Sequence, residues 1–261
     1  MRHALRLICA ISLLLPFRLA AAEEEELVFC YDPYPPYTFE AVEGAEPGGL
    51  KAEMLQAVVD RIEGVSARLI LLPWARCQAE AKSGAVDGVL PLYRNDERDA
   101  YLALTTAVLD QSAAIWRRVD NSAAPRTWSG DYDDFGDLTL GMLQGSYIER
   151  ELENAFAAED RLMRAPTVEG LMLMLYHGRL DLVAIDAFVG EHITRQRGWS
   201  DAMRPFDVPI GTKPAFFGLS RAAKADRYLA AFNTSITALR ASGEMDALTA
   251  KYIRIDGRPA N

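Results

Sequence analysis

Residues 27–92 alternate short apolar runs with helical periodicity, an order that few folds accept. Leu27-Val28-Phe29 reads as a strand. After the turn at Pro47-Gly48-Gly49, the residues Leu50, Met54, Leu55, Val58, Val59 and Ile62 recur at three-to-four spacing. That spacing predicts an amphipathic helix, which Gly64 ends. Residues 67–72 form a second strand stopped by Pro73, and Trp74-Ala75-Arg76 opens a helix that closes at Lys82-Ser83-Gly84. Residues 86–92 are the third strand. The βαβαβ order predicts parallel strands joined by right-handed crossovers, with ligands received at the strands' carboxyl ends.

A second α/β unit follows. Residues 112–119 read as an apolar strand, and residues 120–137, polar and carrying Pro125, Gly130 and Gly136, as a linker or surface loop between lobes. Residues 138–143 then form a strand, Gln144-Gly145-Ser146-Tyr147 a turn, and residues 148–158 a helix. Residues 168–176 form a helix stopped at His177-Gly178-Arg179, and residues 181–186 a strand ending on Asp186. Residues 214–220 return to strand, followed by helices at 226–241 and around Met245, Leu248 and Tyr252. No fixed-period repeat interrupts this pattern.

The first 22 residues stand apart. Arg2 and Arg6 precede an apolar run over 7–17, and Ala20-Ala21-Ala22 offers the small residues of a cleavage site, so residues 1–22 read as a signal peptide. The run is too short for a membrane-spanning helix. Removing its three arginines from the 28 basic residues leaves 25 against 37 acidic ones, a net charge of −12. That balance argues against nucleic acid and anionic membranes as partners. Glu23 to Glu26 reads as a solvated tail. Export permits a disulfide between Cys30 and Cys77, although sequence does not establish that they meet.

Chemistry concentrates at a few loops. The third strand runs through Pro91, Leu92 and Tyr93 into Asn95-Asp96-Glu97-Arg98, and a guanidinium at such an end suits a carboxylate or phosphate. Three prolines stiffen the loop that carries Tyr31, Tyr34 and Tyr37, which serves either as an aromatic ligand wall or as a cap on the core. The histidines and cysteines lack zinc-site spacing, and no nucleophile-elbow motif is present, so neither metal nor cofactor is expected.

Trp74 stands thirteen residues before Asp87, and Asn95-Asp96-Glu97-Arg98 follows the strand that Asp87 begins. Gly141-Met142-Leu143-Gln144-Gly145-Ser146, then Gly178-Arg179-Leu180-Asp181 with Asp186 five residues on, then the ending from Leu239 to Tyr252, complete an ordered set. In these motifs the chain resembles the type 2 periplasmic solute-binding proteins, the polar amino-acid-binding family 3 of ABC transporters, over residues 27–253. The resemblance implies an α/β fold of two lobes, each a mostly parallel sheet flanked by helices, joined by two hinge strands near 112–116 and 208–213. Lobe 1 would comprise 23–114 and 212–261, and lobe 2 residues 115–211. It implies a periplasmic, monomeric, non-enzymatic receptor that closes on an amino acid or small carboxylate and delivers it to an ABC permease. Arg98 would clamp the α-carboxylate with N–H groups around Ser146 and Tyr147, and Asp186 would take the α-ammonium. Trp74 would sandwich the ligand's side chain with Tyr34 or Tyr37.

The chain also departs from that family. Pro91, Leu92 and Tyr93 stand where relatives usually offer hydroxyls, and Arg76 in Leu72-Pro73-Trp74-Ala75-Arg76 would favour an acidic or polar ligand if it faced the cleft. Either Tyr31 or Asp32 aligns with a position that reads a ligand's distal group. Two other classes stand beside the receptor. One is an exported dehydratase acting on cyclohexadienyl acids, which would need an acid or base near the clamp; the other is a sensor without a transport role.

Overall fold

Strand β1 (Glu25–Tyr31) pairs in parallel with β2 (Val65–Leu71) and with β3 (Gly88–Tyr93). The connections are α1 (Leu50–Val59) and α2 (Trp74–Ser83), so the expected βαβαβ unit is present. These features come from a computed structural model that describes residues 24–40, 47–157 and 160–253; the signal-peptide reading of 1–22 lies outside the described residues. In α1 the predicted stripe is the buried one: Leu50, Met54, Leu55, Val58 and Val59 pack into the core, and Lys51 and Ala52 go in with them.

After β3 come α3 (Asp96–Tyr101), β4 (Leu102–Leu104) and the long β5 (Leu109–Arg118). The second unit holds β6 (Leu140–Leu143), α4 (Arg150–Ala157), β7 (Leu162–Ala165), α5 (Val168–Tyr176), β8 (Leu182–Asp186), α6 (Ala187–Arg197) and β9 (Met203–Pro205). The chain then returns along β10 (Gly211–Ser220) and ends in α7 (Leu229–Ala241) and α8 (Glu244–Tyr252). The strand order is β2-β1-β3-β10-β5-β8-β6-β7, with β4 on β10 and β9 on β5.

The two lobes meet along β5. Its residues from Leu109 to Ala113 pair with β10, and those from Ala113 to Arg117 pair with β8. On the far side β6 runs parallel to both β7 and β8, as crossover helices require. This is the two-lobed α/β fold that the sequence leads one to expect. Among the described residues no helix is long and apolar enough to cross a membrane.

Three local expectations change. Glu25 and Glu26 belong to β1, opposite Val65 and Ser66, because backbone pairing with β2 carries the strand past the apolar residues. Residues 120–137 are not a free linker. Trp128 and Phe135 are buried in a second core with Phe156 and Phe206, so the aromatic residues of this polar stretch anchor it to the lobe. Finally, α3, β4, β7 and β9, three to six residues each, are too short to show periodicity. Cys30 and Cys77 form a disulfide with Cα atoms 5.5 Å apart, which ties the end of β1 to α2.

Candidate functional site

The carboxyl ends of β1 and β3 face those of β6 and β8 across a cavity of about 80 Å³. Its walls include Tyr34, Trp74, Leu92, Tyr93 and Arg98 from one sheet half, and Ser146, Tyr147 and Asp186 from the other. Eight of the residues expected to touch a ligand therefore converge.

Arg98 owes its position to the short helix α3. The Asn95 side chain accepts a hydrogen bond from the Arg98 N–H at 2.8 Å, an N-cap that starts the helix and turns the arginine inward. The side chain is 3 % exposed. Nε donates to Gln78 Oε1 at 3.1 Å, Nη1 to the Tyr93 carbonyl at 2.6 Å and Nη2 to the Gly145 carbonyl at 3.3 Å. The guanidinium lies 5.7 Å from the Trp74 ring centroid. None of the three acceptors is a carboxylate. Burial lowers the Arg98 pKa, yet a guanidinium remains protonated in proteins, so a full positive charge sits at the cavity wall without an ionic partner among the described residues.

Asp186 stands opposite, at the end of β8 and 2 % exposed. It also caps α6: Oδ1 accepts from the N–H groups of Phe188 at 2.9 Å and Val189 at 3.3 Å. Oδ2 accepts from the Tyr37 hydroxyl at 3.1 Å and from Gln111 Nε2 at 3.4 Å. Burial pushes its carboxyl up to about 6. The Asp186 N–H donates to the Tyr34 hydroxyl at 3.2 Å. Tyr34 stacks on Tyr37 with centroids 6.0 Å apart, so the sequence's two candidates divide the work. Tyr34 faces the cavity, whereas Tyr37, fully buried behind it, reaches the site through Asp186.

The turn after β6 differs in detail from expectation. The Ser146 N–H and hydroxyl both donate to the Leu143 carbonyl, at 3.0 and 2.7 Å, so neither points to the cavity as a donor. The Tyr147 N–H makes no hydrogen bond among the described residues. Across the cavity the Gly145 carbonyl gathers three donors from the other half: Trp74 Nε1 at 3.1 Å, Gln78 Nε2 at 2.9 Å and Arg98 Nη2.

Arg76 is the correction. Its side chain is 67 % exposed, pairs with Glu80 one helical turn on, and is not part of the cavity wall. Trp74 and Gln78 turn toward Gly145, and Arg76 projects from another face of the same helix. In its stead Lys51 supplies the second cation at the cavity. Its Nζ donates to the Pro91 carbonyl at 2.7 Å, and the Tyr37 and Tyr34 ring centroids lie 5.0 and 5.6 Å away. Asp32 also faces the cavity, and burial pushes its carboxyl up to about 7. Lys51, Gln111 and Gln78 are the polar residues of the site that the sequence pattern passes over, whereas Asp32 and its alternative Tyr31, the two first-loop candidates, both line the cavity.

The sequence profile of the bacterial extracellular solute-binding proteins, family 3, matches residues 27–255. The chain belongs to this family. No curated protein matches it in sequence. Among solved structures, a histidine kinase sensor domain with similarity to periplasmic binding proteins superposes with a TM-score of 0.75 at 21 % identity, covering 89 % of this chain and 97 % of that one. An amino acid ABC transporter substrate-binding protein from Streptococcus pneumoniae, bound to L-arginine, gives 0.71 at 19 % identity over 85 % and 92 %. An ancestral amino-acid-binding protein, described as a precursor of cyclohexadienyl dehydratase, gives 0.72 at 16 % over 88 % and 95 %. At these identities the likeness is one of fold. The family 3 cavity of this chain is then defined by its own residues, above all the buried Arg98 facing Asp186.

Proposed function

We propose that this family 3 protein captures a small carboxylate, an amino acid or a close relative, between its lobes and delivers it to the permease of an ABC importer. The observation that carries the reading is Arg98: a buried guanidinium at a cavity wall, without a carboxylate partner among the described residues. Such a charge is costly to bury unless an anion completes it, and the fork of a guanidinium matches a carboxylate. Asp186 is the proposed partner of an α-ammonium, which would replace the long 3.4 Å bond from Gln111. Trp74 and Tyr34 form the apolar walls, and the Tyr147 N–H is the backbone donor of the far turn. The hinges of this reading are β5 near Ala113 and the approach to Gly211, between lobe 1 (23–114 and 212–261) and lobe 2 (115–211).

A thermal-shift panel of amino acids and small acids on the purified protein tests the reading. A ligand at 100 times its dissociation constant adds about 2.7 kcal/mol, or about 5–11 °C for a protein of this size. If no compound in the panel moves the melting temperature at millimolar concentration, the assignment fails. Export to the periplasm as a monomer belongs to the same proposal, and N-terminal sequencing of exported protein is expected to start at Glu23.

Closure makes a further prediction at Gly145. Its φ is +76°, and an added Cβ would lie 2.8 Å from Gln78 Nε2 and 3.2 Å from the Ala75 Cα. Gly145→Ala is expected to weaken the best ligand by about tenfold, since the crowded contact across the cavity costs about 1–3 kcal/mol in the closed form, whereas the left-handed backbone strains the free and bound forms alike. Titration calorimetry reads this; wild-type affinity in the variant would separate the Gly145 contact from binding.

A further inference from the structure

We propose that Lys51 makes this site selective for ligands of net negative charge, small carboxylates with one more acidic than basic group. The inference rests on the carboxylate reading of the cavity given above and names the ligand class within it.

Lys51 sits in the first turn of α1, 7 % exposed, with its ammonium at the cavity. A lysine held in the core for structure would be expected to have an ion-pair partner. The hydrogen bond that Nζ makes among the described residues goes instead to a neutral carbonyl, that of Pro91. Burial pulls its pKa down to about 8, while Asp186 and Asp32 nearby favour the charged form, so the group is cationic at pH 7.

The cavity wall thus carries two buried cations, Arg98 and Lys51, and neither has a carboxylate within ion-pair distance among the described residues. Asp186 does not fill that place, since its two oxygens accept from Tyr37, Gln111, Phe188 and Val189. A zwitterion brings one carboxylate, which Arg98 takes, and its ammonium goes to Asp186, so Lys51 is left without an anion. A second acidic group reaches Lys51, and buried charge is stable only when paired. Three N–H groups on an ammonium, of which the Pro91 carbonyl takes one, leave donors for an incoming oxygen.

Titration calorimetry with three shape-matched pairs reads the preference: aspartate with asparagine, glutamate with glutamine, and α-aminoadipate with its side-chain amide. In at least one pair the acid is expected to bind tenfold or more tightly than its amide. Lys51→Met is expected to abolish that preference, and Lys51→Arg to retain it. A melting curve for each variant guards against misfolding, and Lys51→Gln serves if the methionine variant does not fold. Equal binding within every pair, a preference for amides, or an unchanged preference without the lysine overturns the assignment. So does the failure of all six to bind. In that case Arg98-dependent binding of a net-neutral amino acid would leave the carboxylate reading standing, whereas binding indifferent to Arg98 would remove that reading too.

Discussion

Arg98→Met is expected to weaken the best ligand by about 10²–10³-fold while moving the melting temperature of the ligand-free protein by no more than about 4 °C in either direction. The asymmetry follows from the geometry. In the complex the variant would leave a ligand carboxylate buried without its cation, and truncating one member of a buried charge pair costs about 2–5 kcal/mol. In the free protein the guanidinium is itself an uncompensated buried charge, so methionine removes a desolvation penalty. It also deprives Gln78 Oε1 and the Tyr93 and Gly145 carbonyls of a donor. Those two effects oppose each other at about 1–3 kcal/mol each. Arg98→Lys is expected to recover little affinity, because a point charge cannot present two parallel donors to a carboxylate. Calorimetry on the variants, with melting curves alongside, checks both halves. Affinity within threefold of wild type in Arg98→Met would take the clamp away from this residue, and collapse of the free protein would make it a structural one.

How far the sequence carried this site can be judged on α1 and α2. Arg98, Asp186 and Trp74 reach the cavity wall because they stand at fixed places relative to strand ends, and strand ends are what short apolar runs mark well. Tyr34 and Tyr37 were found as a pair but not told apart, because which ring faces a cavity depends on the packing of the other. Lys51 was legible in principle. It lies three residues before Met54, four before Leu55 and seven before Val58, hence on the buried face of a helix whose periodicity was plain. A charge on that face has to be paired or functional, and the pattern of apolar residues alone passes over it. Arg76 shows the converse. It sits two residues after Trp74, so the same helix cannot aim both side chains at one cavity. The polar stretch 120–137 misled by composition, since two buried aromatics, Trp128 and Phe135, outweigh many exposed polar residues in deciding where a segment packs.

The Cys30–Cys77 bond carries the second large effect. It closes a loop of 47 residues, for which chain entropy alone gives about 4 kcal/mol of stabilisation relative to the open unfolded chain. For a protein of this size that corresponds to about 8–16 °C in melting temperature. The Cys30→Ala/Cys77→Ala double variant is expected to melt lower by that amount, and reductant to lower the wild type similarly without affecting the variant. Both cysteines lie in a small apolar core with Ala81, Val86, Val89, Leu92, Tyr101 and Leu102, below the cavity floor that Leu92 shares. The bond anchors the helix that bears Trp74 and Gln78, two of the three donors to Gly145. Ligand affinity at 20 °C is therefore expected to fall by less than tenfold, since β1, β3 and the rest of that core still hold α2 in place. A melting temperature within 2 °C of wild type would mean that the unfolded chain is already compact across these 47 residues. A much larger loss of affinity would mean that the disulfide, rather than the packing around it, sets the position of the Trp74 wall.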